Sequence, residues 1–154
     1  MGKRIIQRRR GRGTTTYRAH SHRWLAKVSH RIYDEQERAG LITGKIVNIL
    51  HCAGHTAPLA LVKYDDNKEG YIFAPFGLRV NDTIASGAKA EPKAGNTLPL
   101  ASIPEGTTIF NIENKPADGG KLVRTAGTSA LVKSVTPQGV LVLLPSKKEK
   151  LFHP

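Results

Sequence analysis

Cationic groups and flat rings alternate through the opening of this chain: Lys3, Arg4, Arg8, Arg9, Arg10 and Arg12, then Tyr17, Arg18, His20, His22, Arg23, Trp24 and Lys27. Guanidinium and ammonium groups pair with phosphates, and aromatic or imidazole rings stack on unpaired bases, so the mixture has the chemistry of nucleic-acid binding. Gly2, Gly11 and Gly13 permit close backbone approach to a ligand. For Tyr17 and Trp24 a second reading stays open, as anchors packed back onto the body. In both readings the basic residues point outward.

The charge is an appendage. Ten of the 24 Lys and Arg residues lie within residues 1–31, where there is no Asp or Glu, Asp34 being the first carboxylate. The other fourteen face all 12 acidic residues, which leaves residues 34–154 only +2 of the net +12. A run of like charge repels itself and cannot bury apolar surface, so residues 1–33 are expected to form an extended, disordered arm until a polyanion neutralises them. A membrane partner is not expected: Ile5, Ile6, Val28 and Ile32 form no continuous stripe, and no segment approaches the roughly 20 apolar residues that span a bilayer. No apolar run follows the basic start, against a secretory signal, while an Arg-rich, acid-poor transit peptide remains an alternative.

Other candidate chemistry is weaker. His51, Cys52 and His55 are the only cluster of soft ligands, three without a second group, whereas structural zinc takes four. A surface turn beside Gly54 and Pro58 explains them more simply. Cys52 could serve as a nucleophile with His51 or His55 as base, but adjacency in sequence does not supply that geometry. No catalytic residue, metal, cofactor or small-molecule substrate is expected. The single cysteine excludes an internal disulfide, which fits a reducing cytosol and a soluble intracellular protein. Gly119, Gly120, Lys121 and Arg124, followed by Thr125, Gly127, Thr128 and Ser129, lack phosphate-loop spacing but suit a flat face laid on phosphates and sugars, or a wide bulge between strands.

These residues need a scaffold, and the sequence predicts one built of β-strands. Asp34 with Glu37 three residues on resembles a capping box, and Gly40 ends the short helix it opens. Strands are predicted over 45–50, 59–64, 71–74, 108–112, 130–135 and 140–144, each short and rich in Val, Ile, Leu or Tyr. Hairpin turns fall at Asp65–Gly70 and Thr136–Gly139. Many short strands argue for barrels or a sandwich, and the Gly, Ala, Lys and Pro-rich stretch 86–99 marks a boundary between two small β domains. The expected division is an arm at 1–33, one domain at 34–85 and another at 86–154.

The stretches Gly95–Leu100, Ile103–Thr107, Asn111–Glu113, Pro116, Gly119–Arg124 and Ala126–Thr128 together resemble the universal large-subunit ribosomal protein two family. Arg10–Gly13 with Tyr17–Arg18, Ala57–Pro58 and Leu144–Ser146 resemble its archaeal and eukaryotic branch. The resemblance implies an OB-like barrel followed by an SH3-like barrel. It implies binding of large-subunit rRNA among neighbouring ribosomal proteins, support of subunit assembly and association, tRNA placement, organisation near the peptidyl transferase region and a cytoplasmic location. By matching motif, Arg10, Arg12, Tyr17 and Arg18 in the arm, and Gly119, Gly120, Lys121, Arg124, Gly127 and Thr128 in the second barrel, would contact rRNA. His55 stands where that branch typically carries Arg. Family members continue past the position of Pro154 into a further strand and a Gly, His and Arg-rich extension, so a fragment or shortened protein is expected, its second barrel short of a closing strand, and no peptidyl transferase role attaches to any residue here. The rival is an RNA chaperone or translation factor acting outside the ribosome.

Overall fold

The computed structural model describes residues 2, 5, 7–10, 12–18 and 20–154, with backbone alone at residues 8, 9 and 21. Lys3, Arg4 and Gly11, and the side chains of Arg8 and Arg9, lie outside the described residues. The described residues of the arm carry local turns and join no sheet. Gln7–Arg10 forms one helical turn, α1. The Thr14 carbonyl then accepts from Tyr17 N and Arg18 N, both at 2.9 Å, and Ser21–Arg23 makes a 3-10 turn. Among the described side chains, all those before Ala26 are exposed.

Helix α2, Glu35–Ala39, is capped as its sequence predicts. The Asp34 carboxylate accepts from Glu37 N, and Gly40 N donates to the Gln36 carbonyl at the other end. From there the chain is β apart from a 3-10 turn at Leu100–Ser102. Strands β1 (Ile42–Leu50), β2 (Leu59–Tyr64), β3 (Glu69–Phe73) and β4 (Thr83–Ser86) form an antiparallel sheet in the order β3-β2-β1-β4. Strands β5 (Thr108–Ile109), β6 (Ala130–Thr136), β7 (Gly139–Leu143) and β8 (Glu149–Phe152) form a second, in the order β5-β6-β7-β8. The pair corresponds to an OB-like unit followed by an SH3-like unit. Each sheet bends at one bulge, where Val47 in β1 and Lys133 in β6 have no partner across the ladder.

Alternation decides which side chains meet. In β1, Ile42, Gly44 and Ile46 point inward while Thr43, Lys45 and Val47 face out. Ile42 and Ile46 join Ala60, Val62, Tyr64, Ile72 and Ile84 in one core. The second core gathers Ile112, Ala130, Val132, Val140, Val142 and Phe152.

Residues 23–34 form a strap across both units. Leu25 N donates to the Cys52 thiol at 3.3 Å, and Val28 is buried against Cys52, Leu59 and Phe73 on the flank of the first sheet. His30 turns to the second unit. Its N donates to the Gly119 carbonyl at 3.2 Å, and its Nε2 lies 2.6 Å from the Asn111 carbonyl, which can only accept, so Nε2 carries the proton.

Arg31 turns back and meets three carboxylates: Asp34 at 2.6 Å, Asp66 at 2.7 Å and Glu37 at 3.2 Å. Its side chain is 5% exposed and that of Glu37 is 3% exposed. Arg31 is thus buried at the end of the segment expected to form the arm, because three carboxylates converge on it from the start of α2, α2 itself and the β2–β3 hairpin. The Arg31 hydrogen bond holds Asp66 down at about 2 and lowers Asp34 as well, against the opposing effect of desolvation. Depressed carboxylate pKa values contribute stability that is complete above the ordinary value of about 4 and is lost as pH falls through the folded value. The thermal unfolding midpoint should therefore decline between about pH 4 and pH 2 through this cluster. An Asp66→Asn variant should show a shallower acid decline, and an unchanged profile would remove Asp66 from the account.

Candidate nucleic-acid interface

The strap, the β1–β2 loop and the loop before β6 converge on one side of the molecule. The last of these is shaped by its own acids. Glu113 accepts from Ala117 N and Gly119 N, both at 2.8 Å, and Asp118 accepts from Asn114 N, Lys115 N and Gly120 N. Burial opposes the Asp118 carboxylate, but those three N–H groups and the Lys121 charge outweigh it and hold its pKa below the ordinary range. Both carboxylates are thus engaged with backbone, and Lys121 stays exposed beside them.

Gly119 and Gly120 have a use within the fold itself. Both adopt left-handed φ, +80° and +87°. A Cβ on Gly119 would stand 2.8 Å from Ser29 Cβ, and one on Gly120, which is buried, would overlap the Asn111 amide. The close approach they permit is to the protein's own strap. Beyond them Arg124 donates through Nη2 to the Val28 carbonyl at 3.2 Å and lies over the Phe73 ring at 5.0 Å. Ala126 N donates to Thr56 Oγ1 at 3.0 Å, tying this loop to the first unit. Gly127 is open to solvent, and Thr128 donates to the Thr125 carbonyl at 2.6 Å.

Trp24 is anchored on the body and yet largely open. Its indole edge lies against Gly54, where a Cβ would overlap it, and its ring sits 5.2 Å from that of His55, yet the side chain is 60% exposed. His55 in turn meets the Phe73 edge at 5.6 Å. Burial and then the Arg124 charge push His55 below its ordinary pKa. Trp24, Lys27, His55, Lys121 and Arg124 line one cavity of about 390 Å3. Of the arm residues, Arg10 stacks over Tyr17 at 5.9 Å and His20 meets His22 edge to face at 5.7 Å. Arg12, Arg18 and Arg23 are exposed.

Cys52 and His55 do come together, contrary to the expectation that sequence neighbours would lack the geometry. The thiol lies 3.2 Å from His55 Nδ1, because the turn after β1 folds His55 N onto the Cys52 carbonyl. Hydrogen bonding from Leu25 N lowers the thiol pKa against burial. With Cys52 only 1% exposed, no substrate reaches the sulfur, and the pair serves packing. Among the described residues no three of His, Cys, Asp and Glu gather to hold a metal ion.

Comparison with known proteins agrees with this architecture. The family described as "Ribosomal Proteins L2, RNA binding N-terminal domain" matches residues 2–86, and "Ribosomal Proteins L2, C-terminal domain" matches residues 93–154. The large ribosomal subunit protein uL2 of Methanothermobacter thermautotrophicus is 49% identical over 154 residues, covering 100% of this chain and 64% of that protein. The uL2 proteins of Methanopyrus kandleri (49%) and Methanocaldococcus jannaschii (46%) align over 100% and 99% of this chain and 63% of their own lengths. The chain thus spans a little under two thirds of the curated relatives it matches, and with both domain families matched in order it belongs to the ribosomal protein L2 family.

Proposed function

We propose that this chain is a structural constituent of the large ribosomal subunit that binds large-subunit rRNA in the cytoplasm, alongside neighbouring ribosomal proteins, with no catalysis of its own. The observation that carries the reading is the match of the RNA-binding domain family to the segment holding the basic arm and first sheet. The residues Arg10, Arg12, Tyr17, Arg18, His20 and His22 of the arm, with Arg23 where the strap begins, form an exposed contact. Lys27, Lys121 and Arg124 form a fixed one, with Gly127 and Thr128 at its rim. Gly119 and Gly120 act indirectly, by seating the strap.

Binding by the arm proceeds by counterion release, each phosphate neutralised freeing condensed cations. Engagement of about six arm charges gives a log-log salt slope of roughly −4 to −5. Filter binding to large-subunit rRNA across a salt series measures it, and a slope near zero would refute the mechanism. Sucrose-gradient sedimentation tests the location: the protein should stay with large subunits through a moderate salt wash, whereas a free chaperone or translation factor would move to the top.

A further inference from the structure

The cavity beside Trp24 has walls of three origins: the strap, the β1–β2 loop and the loop before β6. Its lining combines two rings, Trp24 and His55, with three cations, Lys27, Lys121 and Arg124. Trp24 is 60% exposed while Gly54 and His55 hold the indole in place. His55, whose pKa burial and then the Arg124 charge push down, backs the indole at 5.2 Å between ring centres. Lys27 and Lys121 are exposed, and Arg124, half-buried, lies over Phe73 and donates to the Val28 carbonyl while lining the same space. The one carboxylate lining the space, Asp118, is already accepting from three backbone N–H groups. At about 390 Å3 the space falls in the range of about 300–1,000 Å3 typical of small-ligand sites.

Resting on the rRNA-binding reading, we propose that this cavity seats a single unpaired nucleotide of the RNA strand, its base stacked on the Trp24 indole and its phosphate held by Lys27, Lys121 and Arg124. A base inside a duplex has no free face, so the seat selects bulged or looped nucleotides. The strap thereby converts a charge-driven encounter into a fixed register on the RNA.

Trp24 is the only tryptophan in the chain, so its emission reports this cavity alone. Titrating the full chain with large-subunit rRNA should quench that emission saturably. Trp24→Ala should weaken binding about tenfold at fixed salt, as loss of one stacked base does, with the salt slope preserved. Gly54→Ala, which displaces the indole, should abolish quenching with the circular dichroism spectrum retained. Lys121→Ala should instead make the salt slope shallower by about 0.7–0.9. Tight rRNA binding with unquenched Trp24, or equal affinity of Trp24→Ala, overturns the seat while leaving the rRNA-binding reading intact. Failure of the intact chain to bind rRNA even at low salt overturns that reading and the seat with it. Saturable quenching by adenosine monophosphate, with rRNA unable to quench, would reassign the cavity to a free nucleotide and overturn the proposal.

Discussion

Deleting residues 1–22 is expected to weaken binding to large-subunit rRNA by about four orders of magnitude at 0.1 M salt, the amount that release of counterions from about six phosphates contributes at that concentration. The deletion removes seven of the ten cations in the first 31 residues and spares the strap, whose contacts begin with Arg23. Its residual salt slope should fall to roughly −2 to −3, the value for the three cations around the Trp24 cavity. Thermal unfolding should not change, because the described side chains of that segment are exposed. A truncated protein that binds as tightly as the full chain, with the same salt response, would show that the arm is not the electrostatic anchor.

Arg31→Met is expected to destabilise the fold by about 3–5 kcal/mol, since it strands a buried carboxylate without its cation. Glu37 bears most of this effect, because Asp34 and Asp66 retain access to solvent and Glu37 does not. Adding Glu37→Met to the same protein should recover most of the loss, an apolar pair costing far less than half of a broken ion pair. Urea unfolding of the two variants measures the difference. A single-variant cost below about 1 kcal/mol, in the range of exposed pairs, would mean that the cluster is solvated.

Much of the fold is legible locally. The β2 prediction matches the observed strand at both ends, and the Asp34 cap and both hairpins fall where turn chemistry puts them. Strands β4 and β8 escape such reading for a physical reason. Thr-Ile-Ala-Ser is short and only half apolar, and Glu-Lys-Leu-Phe buries a single residue. Each becomes a strand because β1 or β7 offers it a free edge, and that is information held elsewhere in the chain. The predicted strand at 108–112 shortens to two residues because Asn111 leaves the ladder in a left-handed conformation, φ +52°.

The candidate site was legible by composition and not by arrangement. Charge counting finds Lys27, Lys121 and Arg124, and the aromatic pattern finds Trp24. It does not find that they share a cavity, nor that His55 supports the indole. Those facts depend on contacts between residues 28–30 and 111–124, and nothing in Val-Ser-His marks a segment that bridges two sheets. The Gly119–Gly120 pair was the one local clue. It signals a close approach by something, and within the protein that something is Ser29 and Asn111.

The strap also imposes a timetable on synthesis. His30 and Val28 lie 81 and 96 positions before the Asn111 and Arg124 groups that fasten them. Translation runs from the amino end, so the bridging segment emerges first, its berth on the first unit becomes available once Glu37, Cys52 and Asp66 follow, and its berth on the second comes last. Such distant pairings make closure slow, and nascent chains therefore hold the two units unlatched, with the arm already outside and able to find its polyanion before the latch shuts.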